Sequence, residues 1–306
     1  MVTPLGATAQ ATVASWGAGV RAIRRRIPEL AGTSLVNSEA AQLPDFDPAK
    51  RLGSRRMLKY MSRSAMLGCV SAHEAVEDAD VRHRYAPERV GLFAGVGLAA
   101  AMLDDILPML NQSIDEDGKF SCRLLGQRGL AVSNPLLSFK ILANMPPCLI
   151  SIIEGAKGPN YIFTPWEGQT AAALLEAWQA VDSGEVDCAL VGAAEDAGHP
   201  ATLVYLRQAR LLSECELAGA GAAYVIMERA ERAARDGVHM YARILSMSMR
   251  YRRSPGFDDP LAERMGRCFA AAPAMLTALA CRVPGLDVRI RGTDEQEFQA
   301  RLEILS

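Results

Sequence analysis

The chain has 306 residues, 50% of them hydrophobic and 22% charged, with a formal net charge of −2. That balance excludes a disordered or membrane-embedded chain and gives no reason to expect nucleic acid as a partner. Seven cysteines, an odd number without CxxC spacing, point to reduced thiols and to neither a disulfide frame nor a metal site.

Taken in order, MVTPLG opens with a turn at Pro4 and Gly6, and the strand expected before it is almost absent. Residues 16–23 read as a short helix, and 31–50, rich in Pro, Ser and Asp, as an irregular surface loop. A helical pattern runs over 55–77, with Met57, Tyr60, Met61, Ala65, Leu67 and Cys69 on its apolar face. A strand follows at Val90–Val96, and 100–143 is helical in pieces. Residues 148–153 (Cys148, Leu149, Ile150, Ser151, Ile152 and Ile153) read as a strand.

The next stretch organises the chain. Gly158, Pro159 and Asn160 turn into a strand at 161–163, and Gly168 opens an Ala-rich helix that ends near Ser183 and Gly184. A strand at 186–192 then breaks at Ala193, Ala194 and Glu195. Further strands are expected at 222–227 and 239–249, with a polar helix at 228–237 between them. Beyond Arg250 come an irregular basic segment, one apolar helix over 261–281, and strands at Val288–Arg291 and 298–304. Strands and helices alternate throughout, which is the α/β pattern. The length suits one domain of two similar halves as well as two domains.

The turn before Gly168 carries Pro165, Trp166 and Glu167. Backbone N–H groups and the positive end of a helix dipole stabilise an anion at such a place, so Glu167 either exploits the helix N-terminus or plugs a pocket. Of the four histidines, His199 alone lies near this stretch in sequence; it reads as a loop residue beside Pro200. A Glu167–His199 dyad requires hydrogen-bond reach between them.

The set TPLG, RRMLKY, VGLFAGVG, NMPPCLISIIEGAKGPN, SGEVDCALVGAAED and AGAGAAYVIMERAERAARDG followed by YARIL resembles, in that order, the β-ketoacyl synthases. The resemblance implies a thiolase-like α/β fold, layered α-β-α-β-α. It implies an N-terminal ketosynthase-like half at 1–238 and a condensed C-terminal half at 239–306 packed into the same domain. Working members carry a cysteine at the nucleophile turn; Pro165, Trp166, Glu167 and Gly168 stand there instead, a degenerate site with no catalytic residue. The family's two histidines and lysine of the C-terminal half have no counterpart motifs. Arg267 stands where one histidine would, and Gly292 is the glycine left near the closing glycine-rich loop.

What the resemblance implies for function is a non-catalytic partner subunit, similar to the chain length factors of type II polyketide and aryl polyene assembly. Such a subunit would dimerise with a full-length β-ketoacyl synthase through the 148–153 strand. It would shape the acyl tunnel with Phe120, Leu136, Leu137 or Phe139, for which core packing is the alternative, and would meet an acyl carrier protein through the complex. Two other readings stay open: a malonyl-carrier-protein decarboxylase of the loading-ketosynthase type, and a degenerate scaffold that recruits a carrier protein through Arg51, Arg55, Arg56, Arg252 and Arg253. No cofactor, metal or nucleic acid is expected. No membrane partner is expected either: no apolar run is long enough to span one and residues 1–30 lack a signal-peptide pattern, so the expected location is the cytoplasm.

Overall fold

The structure, a computed structural model, describes residues 1–98, 101–252 and 257–305, so Arg253 lies outside the described residues. Nine strands are described: β1 (Arg24–Arg26), β2 (Glu39–Ala41), β3 (Val90–Val96), β4 (Asn160–Phe163), β5 (Cys188–Asp196), β6 (Ala220–Glu228), β7 (Ala242–Tyr251), β8 (Val288–Arg291) and β9 (Gln296–Ile304). The principal helices are α1 (Ala9–Gly17), α2 (Arg63–Asp78), α3 (Met145–Glu154), α4 (Glu167–Ser183), α5 (Pro200–Gln208), α6 (Ala230–Asp236) and α7 (Ala272–Ala280).

Every residue of β3 and β5 is buried, as the unbroken apolar runs VGLFAGV and CALVGAAED demand of strands covered on both faces. They form the centre of a sheet ordered β4-β3-β5-β6, in which β3 runs parallel to both neighbours and β6 is antiparallel to β5. Val2 makes an antiparallel bridge to Ala222 on the far side of β6. One face of this sheet packs against α2 and α3, around Cys69, Leu149, Ile150 and Leu190.

The other face meets α4 and α7, whose buried sides are rich in small residues: Ala171, Ala173, Ala177 and Ala180 on α4, and Ala272, Ala274 and Ala278 on α7. Short side chains let both helices lie close to a sheet above and a sheet below. The second sheet, antiparallel and ordered β7-β9-β8, closes the sandwich with Met247, Val288, Ile290, Phe298 and Ala300. One hydrophobic core therefore joins residues of the first 238 positions to residues of the last 68. Truncating a fully buried member such as Leu174 to alanine would cost about 2–5 kcal/mol. The helices packed on the second sheet, α4 and α7, both lie on its inner face. The abridgement of the C-terminal half thus takes the form of three strands whose outer face carries charged side chains.

Several expectations need correction. Residues 148–153 are not a strand but the body of α3. Pro146 and Pro147 sit in its first turn, where a missing N–H breaks no helical bond, and Gly155 ends it at φ +71°. The β-branched run Ile150, Ile152, Ile153 had suggested a strand, yet Ile150 is buried while Ile152 is 67% exposed. The first helix begins at Ala9, not 16, because the Thr8 hydroxyl caps the N–H of Ala11. The single helix expected over 261–281 is broken: Gly266 (φ +74°) and Phe269 (φ +37°) hold the chain out of helix, which is what positions Arg267. Finally, β5 runs on to Asp196, because β6 pairs with it along its whole length.

Candidate functional site

β4 delivers the chain at Phe163, a cis peptide joins Thr164 to Pro165, and extended backbone at Trp166 (φ −102°, ψ 168°) precedes Glu167, the first residue of α4. The Trp166 N–H reaches the Gln169 side-chain oxygen at 3.4 Å, and the Thr170 hydroxyl donates to the Ala270 carbonyl at 2.7 Å, pinning the first turn to the segment that leads into α7.

Glu167 is fully buried. Its Oε1 accepts from the Arg267 guanidinium at 3.3 Å and from the Thr293 hydroxyl at 3.3 Å, and its Oε2 accepts from the Thr293 backbone N–H at 3.0 Å. Arg267 is itself 5% exposed and is held on every side. It donates to the Leu211 carbonyl at 2.7 Å, to Glu216 at 3.2 Å and to Thr293 at 3.0 Å, and its guanidinium lies 3.5 Å from the Phe257 ring centroid and 4.2 Å from that of Phe269. A buried carboxylate survives only when paired and hydrogen-bonded, and this one is both.

The expectation that Glu167 caps the helix is corrected by the same contacts. The anion at the N-terminus of α4 is Asp294, whose carboxylate accepts from the Gly168 N–H at 3.2 Å and the Gln169 N–H at 3.0 Å. Asp294 comes from the turn between β8 and β9, pressed so closely on α4 that side chains are excluded. A Cβ on Gly168 would lie 2.4 Å from Cβ of Gln296, and one on Gly292 would lie 2.8 Å from Cβ of Glu167. Gly292, the glycine that the resemblance placed near the closing loop, thus admits Glu167 to the interior.

Two further buried carboxyls lie within electrostatic reach of Glu167. Glu195 is pushed up to about 8 by burial, offset in part by the N–H groups of Leu98 and Asp196, which it accepts at 3.1 and 2.9 Å. It fills the space in front of Gly97, where any Cβ would collide with it at 1.7 Å. Asp259 is pushed up to about 7, again by burial first, and accepts the Leu261 N–H at 2.9 Å. His199 is the N-cap of α5, its Nδ1 accepting from the Ala201 N–H at 3.2 Å. With that nitrogen occupied and Glu167 engaged by Arg267 and Thr293, the two form no dyad, and the reading of His199 as a loop residue beside Pro200 becomes that of a cap.

Chemically, the arrangement fills the nucleophile turn. Its donors converge on a resident carboxylate, and both oxygens of that carboxylate are taken. The structure brings Glu167 and Arg267 together across 100 residues, joining the two places where the resemblance put the lost cysteine and histidine. Thr293 and Asp294 were missed, and no local signal marks them: a threonine and an aspartate in a hairpin turn read as turn formers. Among the described residues no group of three or more His, Cys, Asp or Glu is placed to hold a metal ion.

The remaining candidates lie elsewhere. In α3, Leu149 and Ile150 are buried, while Cys148, Ser151 and Ile153 are half-buried and Ile152 is exposed. None of the four tunnel candidates belongs to the buried core, so core packing is set aside for them. Phe120 and Phe139 are exposed, the latter edge-on to Tyr60 at 5.6 Å, and Leu136 and Leu137 are half-buried. Their segment also exposes Leu107, Leu130, Val132, Ile141 and Leu142. No described helix is long and apolar enough to cross a membrane.

Residues 3–239 match the family model of the β-ketoacyl synthase N-terminal domain. A 3-oxoacyl-(acyl-carrier-protein) synthase 2 of Synechocystis is 24% identical over 227 residues, covering 68% of this chain and 51% of the relative. The chain spans about half the length of the curated relatives it matches. Two solved structures match from end to end. A chain from a type II polyketide ketosynthase in complex with its acyl-carrier protein has a TM-score of 0.76 at 14% identity, with 99% of this chain and 96% of that one covered. A chain of the ishigamide ketosynthase/chain length factor has a TM-score of 0.75 at 16% identity, with 100% and 97% covered. With the family model covering more than three quarters of its length, the chain belongs to the β-ketoacyl synthase family and has its thiolase-like fold, with an abridged C-terminal half.

Proposed function

We propose that this chain is a non-catalytic ketosynthase-like subunit of the chain-length-factor type, which dimerises with an active ketosynthase and shapes its acyl tunnel. The observation that carries the reading is the buried Glu167–Arg267 pair in the nucleophile turn: a site filled by its own ion pair supplies neither thiolate nor oxyanion donors. The same observation disfavours malonyl decarboxylation, because the Thr293 N–H and Arg267 that would meet a thioester oxygen are aimed at Glu167. Size supports the reading, since a chain of the ishigamide ketosynthase/chain length factor is matched over nearly its whole length.

With 148–153 helical, the pairing surface moves to β4. It is an edge strand whose Tyr161 and Ile162 are 44% and 39% exposed, and its outer row of backbone groups is open to a partner strand. Exposed Ile152 extends that surface, and Phe120, Leu136, Leu137 and Phe139 are the side chains proposed to reach the partner's tunnel. An acyl carrier protein would act on the complex. Co-expression with a ketosynthase that keeps its cysteine, followed by size-exclusion chromatography, should give a stable one-to-one complex. Truncating the gate residue to alanine should lengthen the product. A ketosynthase that folds and elongates to the same length without this chain would refute the reading, and a homodimer that ignores the ketosynthase would favour the scaffold.

A further inference from the structure

A cleft of about 1100 Å³ opens beside β6, at the edge of the first sheet opposite β4. Tyr224, Val225, Ile226, Met227 and Glu228 all line it, although neighbours on a strand send their side chains to opposite faces. The cleft therefore runs along the edge of the strand and over neither face. In an antiparallel ladder a residue turns its N–H and C=O to the same side, and Ala222 turns both outward, exchanging them with Val2 at 2.8 Å each. Tyr224 and Ile226, two and four residues on, face the same way, while Ala223, Val225 and Met227 turn theirs to β5. Among the described residues nothing pairs with the outward N–H and C=O of Tyr224 and Ile226. Tyr224 is nonetheless only 5% exposed, and backbone groups so placed are almost always paired.

We propose that this edge takes up an extended, uncharged segment of a partner protein as a further strand of the first sheet. The slot has the form of a strand: α2 bounds it on one side through Ala75 and Ala79, and α4 and α7 on the other through Trp178, Val181 and Ala278. A strand laid about 4.8 Å from β6 would be covered on both faces, as β3 and β5 are. The edge from Tyr224 to Glu228 is about 17 Å long, room for about five residues. Charge decides the chemistry of those residues. Three acids on the walls are matched within the chain, Glu74 by Arg51, Asp78 by Arg282 and Glu228 by Arg84, and the Tyr241 hydroxyl also donates to Asp78 at 3.2 Å. The Arg229 guanidinium is engaged by the Val181 and Asp182 carbonyls, and the Asp182 and Glu231 side chains stand exposed at the mouth. A charged side chain entering the slot would be buried without a partner. A neutral strand meets apolar walls and offers its own backbone to Tyr224 and Ile226, so main-chain bonds supply the affinity.

The test adds to the unaltered protein a fluorescein-labelled peptide of alternating valine and threonine, blocked at both ends, or the same peptide methylated on its central amide nitrogens. Fluorescence anisotropy should show the first binding at least about tenfold more tightly, because methylation removes its donors and leaves its apolar surface. Hydrogen exchange at the Tyr224 and Ile226 amides should slow by at least about tenfold with the first peptide bound and not in its absence. Ile226→Pro removes an outward N–H that β5 does not use and should abolish binding. The two peptides on the unaltered protein decide the matter even if that variant fails to fold. Equal binding of the peptides, binding of neither, or binding that leaves both amides exchanging as before would overturn the proposal. So would protection of these amides before any peptide is added. Protection that grew with protein concentration would give the slot to a second copy, and protection that did not would give it to the chain itself.

Discussion

The turn ahead of α4 and two exposed apolar stretches, residues 101–143 and β4, have gone opposite ways. In the turn, Glu167 and Arg267 are almost wholly buried and every donor has an acceptor nearby except the Arg267 Nε. On the surface, Phe120, Leu130, Phe139, Ile141, Leu142, Tyr161 and Ile162 stand exposed. Water penalises both, the exposed apolar side chains through the hydrophobic effect and the buried ion pair through desolvation that its hydrogen bonds must offset, so the two are informative together. Where the family does chemistry this chain is sealed, and where we propose that a partner lies it is apolar and open. The difference also separates two kinds of experiment, those that unfold the chain and those that leave it folded but alone.

The sealed region should give the largest effect. Arg267→Ala leaves Glu167 charged, buried and short of its cation, and should lower the stability measured by urea denaturation by about 3–5 kcal/mol. Replacing both partners, as in Glu167→Leu with Arg267→Met, should recover most of that loss, since neither charge is then buried. A double variant no more stable than Arg267→Ala would show that the pair's shape, not its charge, holds the turn.

The next effect is pH dependence. Glu195 titrates near 8 in the folded protein because burial penalises its charged form, whereas an unfolded glutamate ionises near about 4.3. Between those values the folded chain holds the extra proton, so stability is greatest below the unfolded pKa and falls as pH rises through the folded one, by a few kcal/mol in order of magnitude. Asp259, near 7, acts in the same direction. Glu195→Gln keeps the shape without the titration, and its stability measured from pH 5 to pH 9 should fall less steeply than that of the unaltered chain; parallel curves would exclude Glu195 as the source.

Smaller still is the cap. Asp294→Ala removes the acceptor of two α4 N–H groups and should cost about 1 kcal/mol, and Asp294→Asn only part of that. That cap also marks how far the sequence could be read. The strands β3 and β8 were legible at their exact bounds, because an unbroken apolar run and a strict alternation of Val288, Arg289, Ile290 and Arg291 are local signals. The length of α4 was legible to within a residue, because an Ala-rich run between Gly168 and the Ser183–Gly184 stop is a local helix signal. α3 was misread because its isoleucines spoke louder than the two prolines that start it. At the site, the resemblance put Glu167 and Arg267 at the family's cysteine and histidine positions but not against each other; the pairing spans 100 residues and the Asp294 cap 126, and nothing local encodes a contact made by a distant hairpin.

The smallest effect on stability belongs to the open region, and it carries the most for function. Ile162→Arg on β4 changes a side chain that is 39% exposed and lies on the edge of the first sheet, away from the buried core, so unfolding in urea should shift by no more than about 0.5 kcal/mol. In a strand-to-strand pairing with a ketosynthase, however, the same arginine would bury an unpaired charge at the centre of the interface, and the co-purified complex should be lost. A variant that unfolds would mean that β4 belongs to the core of the chain alone. One that keeps both stability and complex would move the interface off β4, toward Ile152 and the 101–143 segment, whereas loss of the complex with stability intact would tie the apolar surface to a partner.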